Sequence, residues 1–137
     1  MTQEMKVAVI TGAARGIGLA IARTFLAGGY RVALFDIDGA ELQAAAASLE
    51  PVDAVLSIEC DISDPSQVGA AIRRTEAQFG RIDSLVNNAG IAVFKPLLDT
   101  TFEEWERVLA VNLSGPSLCT QLCAPIMLKG GGGSVVN

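Results

Sequence analysis

A glycine-rich turn lies near the start of the chain, between a short apolar run and a helical segment. Residues 11–18 read TGAARGIG. A backbone that closely approaches a pyrophosphate has no room for side chains, and the helix behind it offers unpaired N–H groups and a positive dipole end. Gly12, Gly16 and Gly18 meet this requirement, although glycines that serve only a tight turn are the alternative. The segment predicts a phosphate-binding turn.

An acidic residue follows the second apolar run of the chain. Asp36 comes 18 positions after Gly18, close to the offset of roughly 20 residues at which a carboxylate meets an adenosine ribose. Such a carboxylate accepts from both ribose hydroxyls and repels a 2′-phosphate, which favours NAD over NADP. Arg15 argues the other way, because a guanidinium beside the pocket can pair with a 2′-phosphate. The alternative for Asp36 and Asp38 is a turn before Gly39.

Two further polar segments follow later strands. Asp61 could accept from an adenine amino group while Ile62 packs on the ring, and the alternative is that Asp61 or Asp64 caps the next helix. Residues 87–90 read NNAG, a backbone-permissive turn at the carboxyl end of a strand, where doubly wound sheets bind ligands. Taken alone, this tetrapeptide indicates only a turn.

The elements that must position these residues alternate along the chain. Apolar runs rich in β-branched residues predict buried strands, and apolar residues at helical spacing predict helices. The predicted strands cover residues 6–10, 31–35, 54–60 and 82–86, and the predicted helices cover residues 17–27, 40–49 and 66–79. This alternation predicts an α/β fold with a parallel sheet covered by helices on both faces.

The last third of the chain contains a long helical stretch. Thr101 and Glu104 have the spacing of a capping box at its start. We predict that its apolar residues form a buried stripe, namely Phe102, Trp105, Val108 and Leu109. Pro116 and Pro125 predict two helical segments or a bend rather than one straight helix. Residues 134–137 (SVVN) resemble the start of a fifth strand.

Composition and charge narrow the class of protein. The 137 residues are 50% hydrophobic and 18% charged, which indicates one packed domain over residues 1–137 and argues against disorder. We find no run of the roughly 20 apolar residues that a membrane-spanning helix needs, and expect a cytoplasmic protein. The net charge of -5 argues against nucleic acid and anionic membranes as partners.

Metal binding and P-loop chemistry are also disfavoured. The three cysteines Cys60, Cys119 and Cys123 are odd in number and spread along the chain, so we expect buried hydrophobic residues rather than disulfides. The chain contains no histidine, and a zinc site on Cys119 and Cys123 would need improbable further ligands. No Gly-Lys-Ser/Thr follows the glycines, as a P-loop requires.

Taken together, these motifs resemble the short-chain dehydrogenase/reductase family. The turn TGAARGIG, Asp36, Asp61, the NNAG segment and Asn112 occur in the family's order and approximate spacing. The resemblance covers residues 6–137 but only about the first half of a family member. It implies a doubly wound, Rossmann-like fold of three α/β/α layers, incomplete after the fifth strand. It also implies an NAD-dependent oxidoreductase that acts on an alcohol or carbonyl compound.

The resemblance implies roles for individual residues. Those implied to bind the pyrophosphate and adenosine are Gly12, Arg15, Gly16, Ile17 and Gly18. Asp36 would select the ribose, Asp61 and Ile62 would hold the adenine, and Asn88 and Gly90 would lie beside the cofactor ribose. Asn112 would bend its helix and hold a water of a proton relay, and the alternative is a polar residue at a helix irregularity.

The chain departs from the family pattern at the catalytic residues. The family's serine after the fifth strand and its tyrosine and lysine four residues apart are not found, and neither Tyr30 nor Lys129 substitutes for them. We therefore expect these 137 residues alone to be inactive and to expose helix faces and a strand edge. A noncatalytic dinucleotide-binding or sensing module is the alternative function. Family membership further implies a dimer or tetramer of the full-length protein, formed through the helices near residues 101–128.

Overall fold

The computed structural model describes residues 4–137 and arranges them as alternating strands and helices. Residues 1–3, which the sequence assigned to the same domain, lie outside the described part. The strands are β1 (Val7–Thr11), β2 (Arg31–Asp36), β3 (Val55–Glu59), β4 (Ser84–Val86) and β5 (Ser134–Val136). The helices are α1 (Gly16–Ala27), α2 (Gly39–Ala47), α3 (Pro65–Phe79), α4 (Phe102–Leu109) and α5 (Gly115–Lys129).

All neighbouring strands in the sheet are parallel, in the order β3-β2-β1-β4-β5. Val9 of β1 lies between Ala33 of β2 and Leu85 of β4. Strands β2 and β3 thus lie on one side of β1. After β3 the chain crosses back, and β4 and β5 lie on the other side. This reversal leaves a crevice at the carboxyl ends of β1 and β4, where sheets of this kind bind ligands. The predicted α/β class and parallel sheet are confirmed.

Both faces of the sheet are buried, because alternate residues of each strand point to opposite sides. On one side, Val9 and Phe35 pack with residues of α3 and α5, including Ile72 and Cys123. On the other side, the β1 and β2 side chains pack against α1 and α2; this cluster includes Ala8, Ile10, Val32, Leu34, Ala22 and Leu42. The result is the predicted arrangement of three layers.

The helical stretch after residue 101 runs without interruption into α5. Thr101 and Glu104 form the predicted capping box, with Glu104 N–H donating to Thr101 Oγ1 at 3.1 Å and Thr101 N–H donating to Glu104 Oε2 at 3.0 Å. Residues Ala110–Ser114 form a π-helical segment between α4 and α5. Pro116 lies in the first turn of α5, where its missing N–H costs little, and Pro125 lies inside α5. Neither proline ends the helix.

The prediction of a buried apolar stripe on α4 is wrong. None of the eight residues of α4 is buried, and Phe102 and Trp105 are 69% and 53% exposed. The helical spacing correctly identified an amphipathic helix, but its apolar side faces outward. Phe94, Leu97 and Leu98, in the segment that precedes α4, are also exposed. Together with Phe102, Trp105 and Leu109 they define an exposed apolar surface, which we call the α4 surface.

The three cysteines are free and buried, as predicted. Burial raises the pKa of Cys60 and Cys123 to about 12 and that of Cys119 to about 11. At neutral pH they are therefore protonated thiols, which are poor nucleophiles. Within residues 4–137, no three cysteine or acidic side chains are grouped as a metal site would require. No helix in this part of the chain is long and apolar enough to span a membrane.

Candidate functional site

A cavity of about 420 Å³ opens at the carboxyl ends of β1, β2, β3 and β4. Its volume lies within the range of roughly 300–1,000 Å³ that is typical of small-molecule sites. Seven of the residues singled out in the sequence line it: Gly12, Arg15, Asp36, Asp61, Ile62, Asn88 and Gly90. The parallel sheet brings these residues together from four separate segments of the chain. Gly16, Ile17, Gly18 and Asn112 are not among its lining residues.

Two glycines of the turn are required by close packing. Gly12 has a φ of +64°, and a Cβ atom there would lie 2.8 Å from Ala89 Cα. A Cβ atom on Gly18 would lie 2.1 Å from Gly12 O and 2.7 Å from Asn88 Nδ2. Gly18 therefore lets α1 approach the turn directly, which is the packing role of the last glycine in such a motif. The position of Gly18 is structural, while Gly12 faces the cavity.

Helix α1 begins at Gly16, directly after the turn. In the described part of the chain, no side chain caps its amino end and no acidic residue lies in its first turn. The first N–H groups of a helix lack intrahelical partners and carry partial positive charge, so this end is suited to an anion. Ile17, in the same turn, is 74% exposed and does not line the cavity.

Thr11 ties the end of β1 to the NNAG segment. Its buried hydroxyl oxygen accepts from Asn88 N–H at 3.1 Å and from Ala89 N–H at 3.0 Å. In return, Asn88 Nδ2 donates to the carbonyl oxygens of Thr11 and Gly12, both at 3.1 Å. Asn88 thus connects the NNAG segment, on one side of the cavity, to the glycine-rich turn on the other. Thr11 is not among the predicted site residues, because a threonine at the end of a strand has no distinguishing sequence pattern.

Asp36 ends β2 and its carboxylate is fixed by two backbone groups. Oδ2 accepts from Ala14 N–H at 3.0 Å and Oδ1 accepts from Asp38 N–H at 3.0 Å. These contacts join β2 to the glycine-rich turn and hold the negative charge at the cavity wall. Each carboxylate oxygen has capacity for another hydrogen bond, so Asp36 can also accept from a ligand hydroxyl.

Arg15 lines the same cavity, and its guanidinium is paired with two acidic residues at the start of α2, its cap Asp38 and Glu41. Arg15 Nη2 lies 2.8 Å from Asp38 Oδ2, and Arg15 Nε lies 3.9 Å from Glu41 Oε1. Asp38 also caps α2 by accepting from Glu41 N–H at 3.1 Å. The hydrogen bond from Glu41 N–H and the neighbouring Arg15 guanidinium together lower the pKa of Asp38. Asp38 therefore stays ionised at neutral pH and its charge offsets that of Arg15.

Asp61 is held by two side chains rather than capping a helix. Its Oδ1 accepts from the hydroxyl of Ser63 at 2.6 Å and its Oδ2 lies 3.3 Å from Arg107 Nη2 on α4. Burial alone would raise the pKa of Asp61, but the hydrogen bonds from Ser63 and the charge of Arg107 outweigh it and lower the pKa. The cap of α3 is Asp64, which accepts from Ser66 N–H at 2.9 Å.

Arg107 is a cavity-lining residue that we did not identify in the sequence. It comes from α4, 46 positions after Asp61, and no local pattern links the two. Its guanidinium also donates to the Ser63 hydroxyl. Ile62, between Asp61 and Ser63, is buried and packs against α5, because a Cβ atom on Gly115 would lie 2.7 Å from Ile62 Cδ1. These contacts anchor the end of β3 to the long helix.

Asn112 lies in the π-helical segment, in the wall of a neighbouring cavity of about 780 Å³. Its amide pairs with the backbone of Ile91, which lines the first cavity. Asn87 lines the neighbouring cavity as well; its Nδ2 donates to Asn137 Oδ1 at 2.8 Å, while its buried Oδ1 has no partner in the described part of the chain. The structure thus separates Asn112 from the residues around Asp36 by the NNAG segment.

The first cavity has the features that a dinucleotide requires. Gly12 packs so closely against the NNAG segment that a Cβ atom there would lie 2.8 Å from Ala89 Cα, and the uncapped end of α1 follows the same turn. Asp36 presents a carboxylate suited to a ribose, and Ile62 presents apolar surface beside Asp61, which is suited to a purine. The arrangement can bind a nucleotide through its phosphates, sugar and base.

The chain matches a known protein family. The family described as short chain dehydrogenase matches residues 6–137 of the chain. D-threitol dehydrogenase of Mycolicibacterium smegmatis is 43% identical over 133 residues, covering 96% of this chain and 51% of the relative. Galactitol 2-dehydrogenase of Agrobacterium fabrum is 41% identical over 138 residues, covering 100% of this chain and 53% of the relative.

The fold is also similar to that of a solved structure. A 3-ketoacyl-(acyl-carrier-protein) reductase from Brucella melitensis, crystallised with NADH, superposes with a TM-score of 0.88 at 36% identity. The match covers 93% of this chain and 52% of that protein. The chain therefore spans about half the length of the relatives that it matches.

Proposed function

Because the chain belongs to the short-chain dehydrogenase family, we propose that it forms the cofactor-binding part of a nicotinamide-dependent oxidoreductase. One observation carries the proposal. Gly12, Asp36 and Asp61, which end or follow three different strands, line a single cavity beside the uncapped end of α1. These are the chemical groups needed for a pyrophosphate, a ribose and an adenine, at the place where doubly wound sheets bind ligands.

We assign the binding roles to this chain's own residues. Gly12, Gly16 and the first turn of α1 hold the pyrophosphate, with Ile17 exposed beside it and Gly18 keeping the helix close to the turn. Asp36 accepts from the adenosine ribose, and Asp61 and Ile62 enclose the adenine. Asn88 and Gly90 lie beside the second ribose. The nicotinamide, when bound, supplies the hydride acceptor or donor.

NAD is the cofactor that we propose, in preference to NADP. The support is the carboxylate of Asp36, whose two oxygens are held in place by Ala14 N–H and Asp38 N–H. A 2′-phosphate in that position would meet a fixed negative charge, whereas a 2′-hydroxyl would donate to it. The NADH complex of the Brucella melitensis reductase supports the same preference.

The proposed substrate is a small alcohol or carbonyl compound. Two of the relatives are named for polyols, D-threitol and galactitol, so a secondary alcohol of a polyol is the first class to assay. We propose that proton transfer needs a serine, a tyrosine and a lysine outside this chain, and that these 137 residues bind the cofactor without turnover. Asn112 borders the neighbouring cavity, where it would contact the proton-transfer water.

The experiment that tests the function is a calorimetric titration of the full-length protein with NAD, followed by an assay of NADH formation with D-threitol and galactitol. Binding together with turnover supports the oxidoreductase. Binding without turnover of any alcohol in a broad panel would favour the noncatalytic dinucleotide-binding module. The absence of binding to NAD and NADP alike would overturn the proposal.

We also propose that the full-length protein is a homo-oligomer in the cytoplasm. The α4 surface supports oligomerisation, since Phe94 and Leu98 are 96% and 97% exposed and Trp105 is 53% exposed. Large exposed apolar side chains are typical of protein interfaces. The three free, buried cysteines favour a reducing compartment such as the cytoplasm.

A further inference from the structure

The ion pair between Arg15 and Asp38 stands at the wall of the cavity, directly beside Asp36. Arg15 and Asp38 both line the cavity, and Arg15 Nη2 lies 2.8 Å from Asp38 Oδ2. Glu41 adds a second negative charge 3.9 Å from Arg15 Nε. Two carboxylates at the start of α2 thus hold the Arg15 guanidinium toward that helix.

The pairing matters because a guanidinium beside a ribose site has two possible partners. A free Arg15 could form charge-assisted hydrogen bonds with a 2′-phosphate and so offset the repulsion from Asp36. An Arg15 already paired with Asp38 must first lose that contact. Asp38 itself would add a second negative charge near a 2′-phosphate. Both effects act against NADP and neither acts against a neutral 2′-hydroxyl.

We propose that Asp38 is a specificity-determining residue, which favours NAD over NADP by holding Arg15 in an ion pair away from the 2′ position of the adenosine ribose. This inference rests on the proposed function and deepens it. Asp36 provides the direct contact with the ribose, whereas Asp38 acts through the arginine. Selection against NADP is therefore shared between two carboxylates, of which only Asp36 touches the sugar.

The variant Asp38→Asn isolates this role. Asparagine is as good a helix cap as aspartate, so the contact with Glu41 N–H is retained while the charge opposite Arg15 is lost. The backbone N–H of residue 38 still donates to Asp36 Oδ1. The matched control is Asp64→Asn, which makes the same change at the cap of α3. Thermal melts of both variants establish that each is folded.

The readout is the ratio of the dissociation constants for NADP and NAD, measured by calorimetry on the intact protein. Since an exposed ion pair contributes little free energy, we expect Asp38→Asn to lower this ratio by about two- to fivefold. Asp64→Asn should leave the ratio unchanged. The difference between the two variants should shrink as salt rises, because exposed charges are screened.

A second variant tests the route through Arg15. In Arg15→Gln/Asp38→Asn no guanidinium is available, so the ratio should rise again toward that of Arg15→Gln alone. An unchanged ratio in Asp38→Asn would overturn the inference while leaving NAD binding, and hence the proposed function, intact. An equal fall in the double variant would overturn it too. A protein that binds neither cofactor would overturn both proposals.

Discussion

The side-chain amide of Asn112 forms two hydrogen bonds with the backbone of Ile91, one in each direction. Ile91 N–H donates to Asn112 Oδ1 at 2.9 Å, and Asn112 Nδ2 donates to Ile91 O at 2.8 Å. The pair connects the π-helical segment to the loop that follows the NNAG turn. Because Ile91 lines the cavity that contains Gly12 and Asp36, Asn112 positions a wall of that cavity without lining it.

We predict that Asn112→Ala removes both hydrogen bonds to the Ile91 backbone. Asn112→Asp should remove only the one to the Ile91 carbonyl oxygen. A typical net hydrogen bond contributes about 1 kcal/mol, so the Ile91 amide should exchange with solvent roughly fivefold faster in Asn112→Ala. In Asn112→Asp the carboxylate still accepts from Ile91 N–H, which should keep its protection. Hydrogen exchange followed by NMR measures both, and wild-type protection of Ile91 in Asn112→Ala would contradict the role of this pair.

Gly18→Ala should disrupt the glycine-rich turn. Its new Cβ atom would lie 2.1 Å from Gly12 O, so α1 and the turn must separate. We expect a loss of about 1–3 kcal/mol in the free energy of unfolding, as for other overpacked sites, and a loss of NAD binding. Denaturant unfolding and calorimetry provide the two measurements.

The control for this substitution is Gly69→Ala, which makes the same change inside α3. There the nearest atom to the new Cβ is the flexible end of Arg73, at 3.1 Å. Alanine is the better helix former, so the free energy of unfolding should rise by up to about 1 kcal/mol. If both variants lost stability equally, close approach at Gly18 would not be the cause.

Arg107→Met should raise the pKa of Asp61. Burial already favours the protonated form of this carboxyl, and removal of the arginine leaves only Ser63 to oppose it. We expect the carboxyl carbon of Asp61, followed by NMR, to titrate at higher pH than in the wild type. Arg73→Met removes the same charge from an exposed position on α3 and should leave the titration of Asp61 in place.

Asp83 should make a large contribution to stability that is lost in acid. Arg81 Nη2 lies 2.7 Å from Asp83 Oδ1, and Val7 N–H donates to Asp83 Oδ2 at 2.8 Å. Burial would raise the pKa of Asp83, but the hydrogen bonds from Arg81 and Val7 outweigh it and lower the pKa. A lowered folded-state pKa stabilises the protein above the unfolded value of about 3.9, and the contribution disappears as pH falls through the folded value.

We therefore expect Asp83→Asn to lower the free energy of unfolding at neutral pH by about 1.5–3 kcal/mol, because the charged hydrogen bonds with Arg81 are lost. Its stability should fall less than that of the wild type between about pH 5 and pH 2, since the carboxyl whose pKa is lowered by folding is gone. Urea unfolding across this range is the measurement. Asp53→Asn, at an exposed position, should retain the wild-type slope.

Trp105→Glu should weaken oligomers of the intact protein. It places a charge on the α4 surface, where burial against another copy would be costly. Analytical ultracentrifugation at micromolar concentration should show a shift toward monomer. Val52→Glu changes an exposed apolar residue on a different segment and should leave the distribution unaltered. A wild-type monomer at that concentration would contradict the proposed assembly.

Several features follow from the sequence alone because neighbouring residues determine them. The buried strands appear as short β-branched runs, and the capping box of Thr101 and Glu104 needs only a spacing of three residues. The close approach of Gly18 to Gly12 O concerns one turn and the helix that it leads into. Alternation of strand and helix then requires a parallel sheet.

Only the tertiary structure decides which distant residues meet. Arg107 and Asp61 are 46 positions apart, Asn88 and Thr11 are 77 apart, and no periodicity or motif connects either pair. The exposure of the apolar side of α4 was equally unpredictable from the sequence, since an amphipathic pattern identifies an apolar side but not what covers it. Strand pairing in the order β3-β2-β1-β4-β5 creates these contacts, because it brings the carboxyl ends of strands from remote parts of the chain to one edge of the sheet.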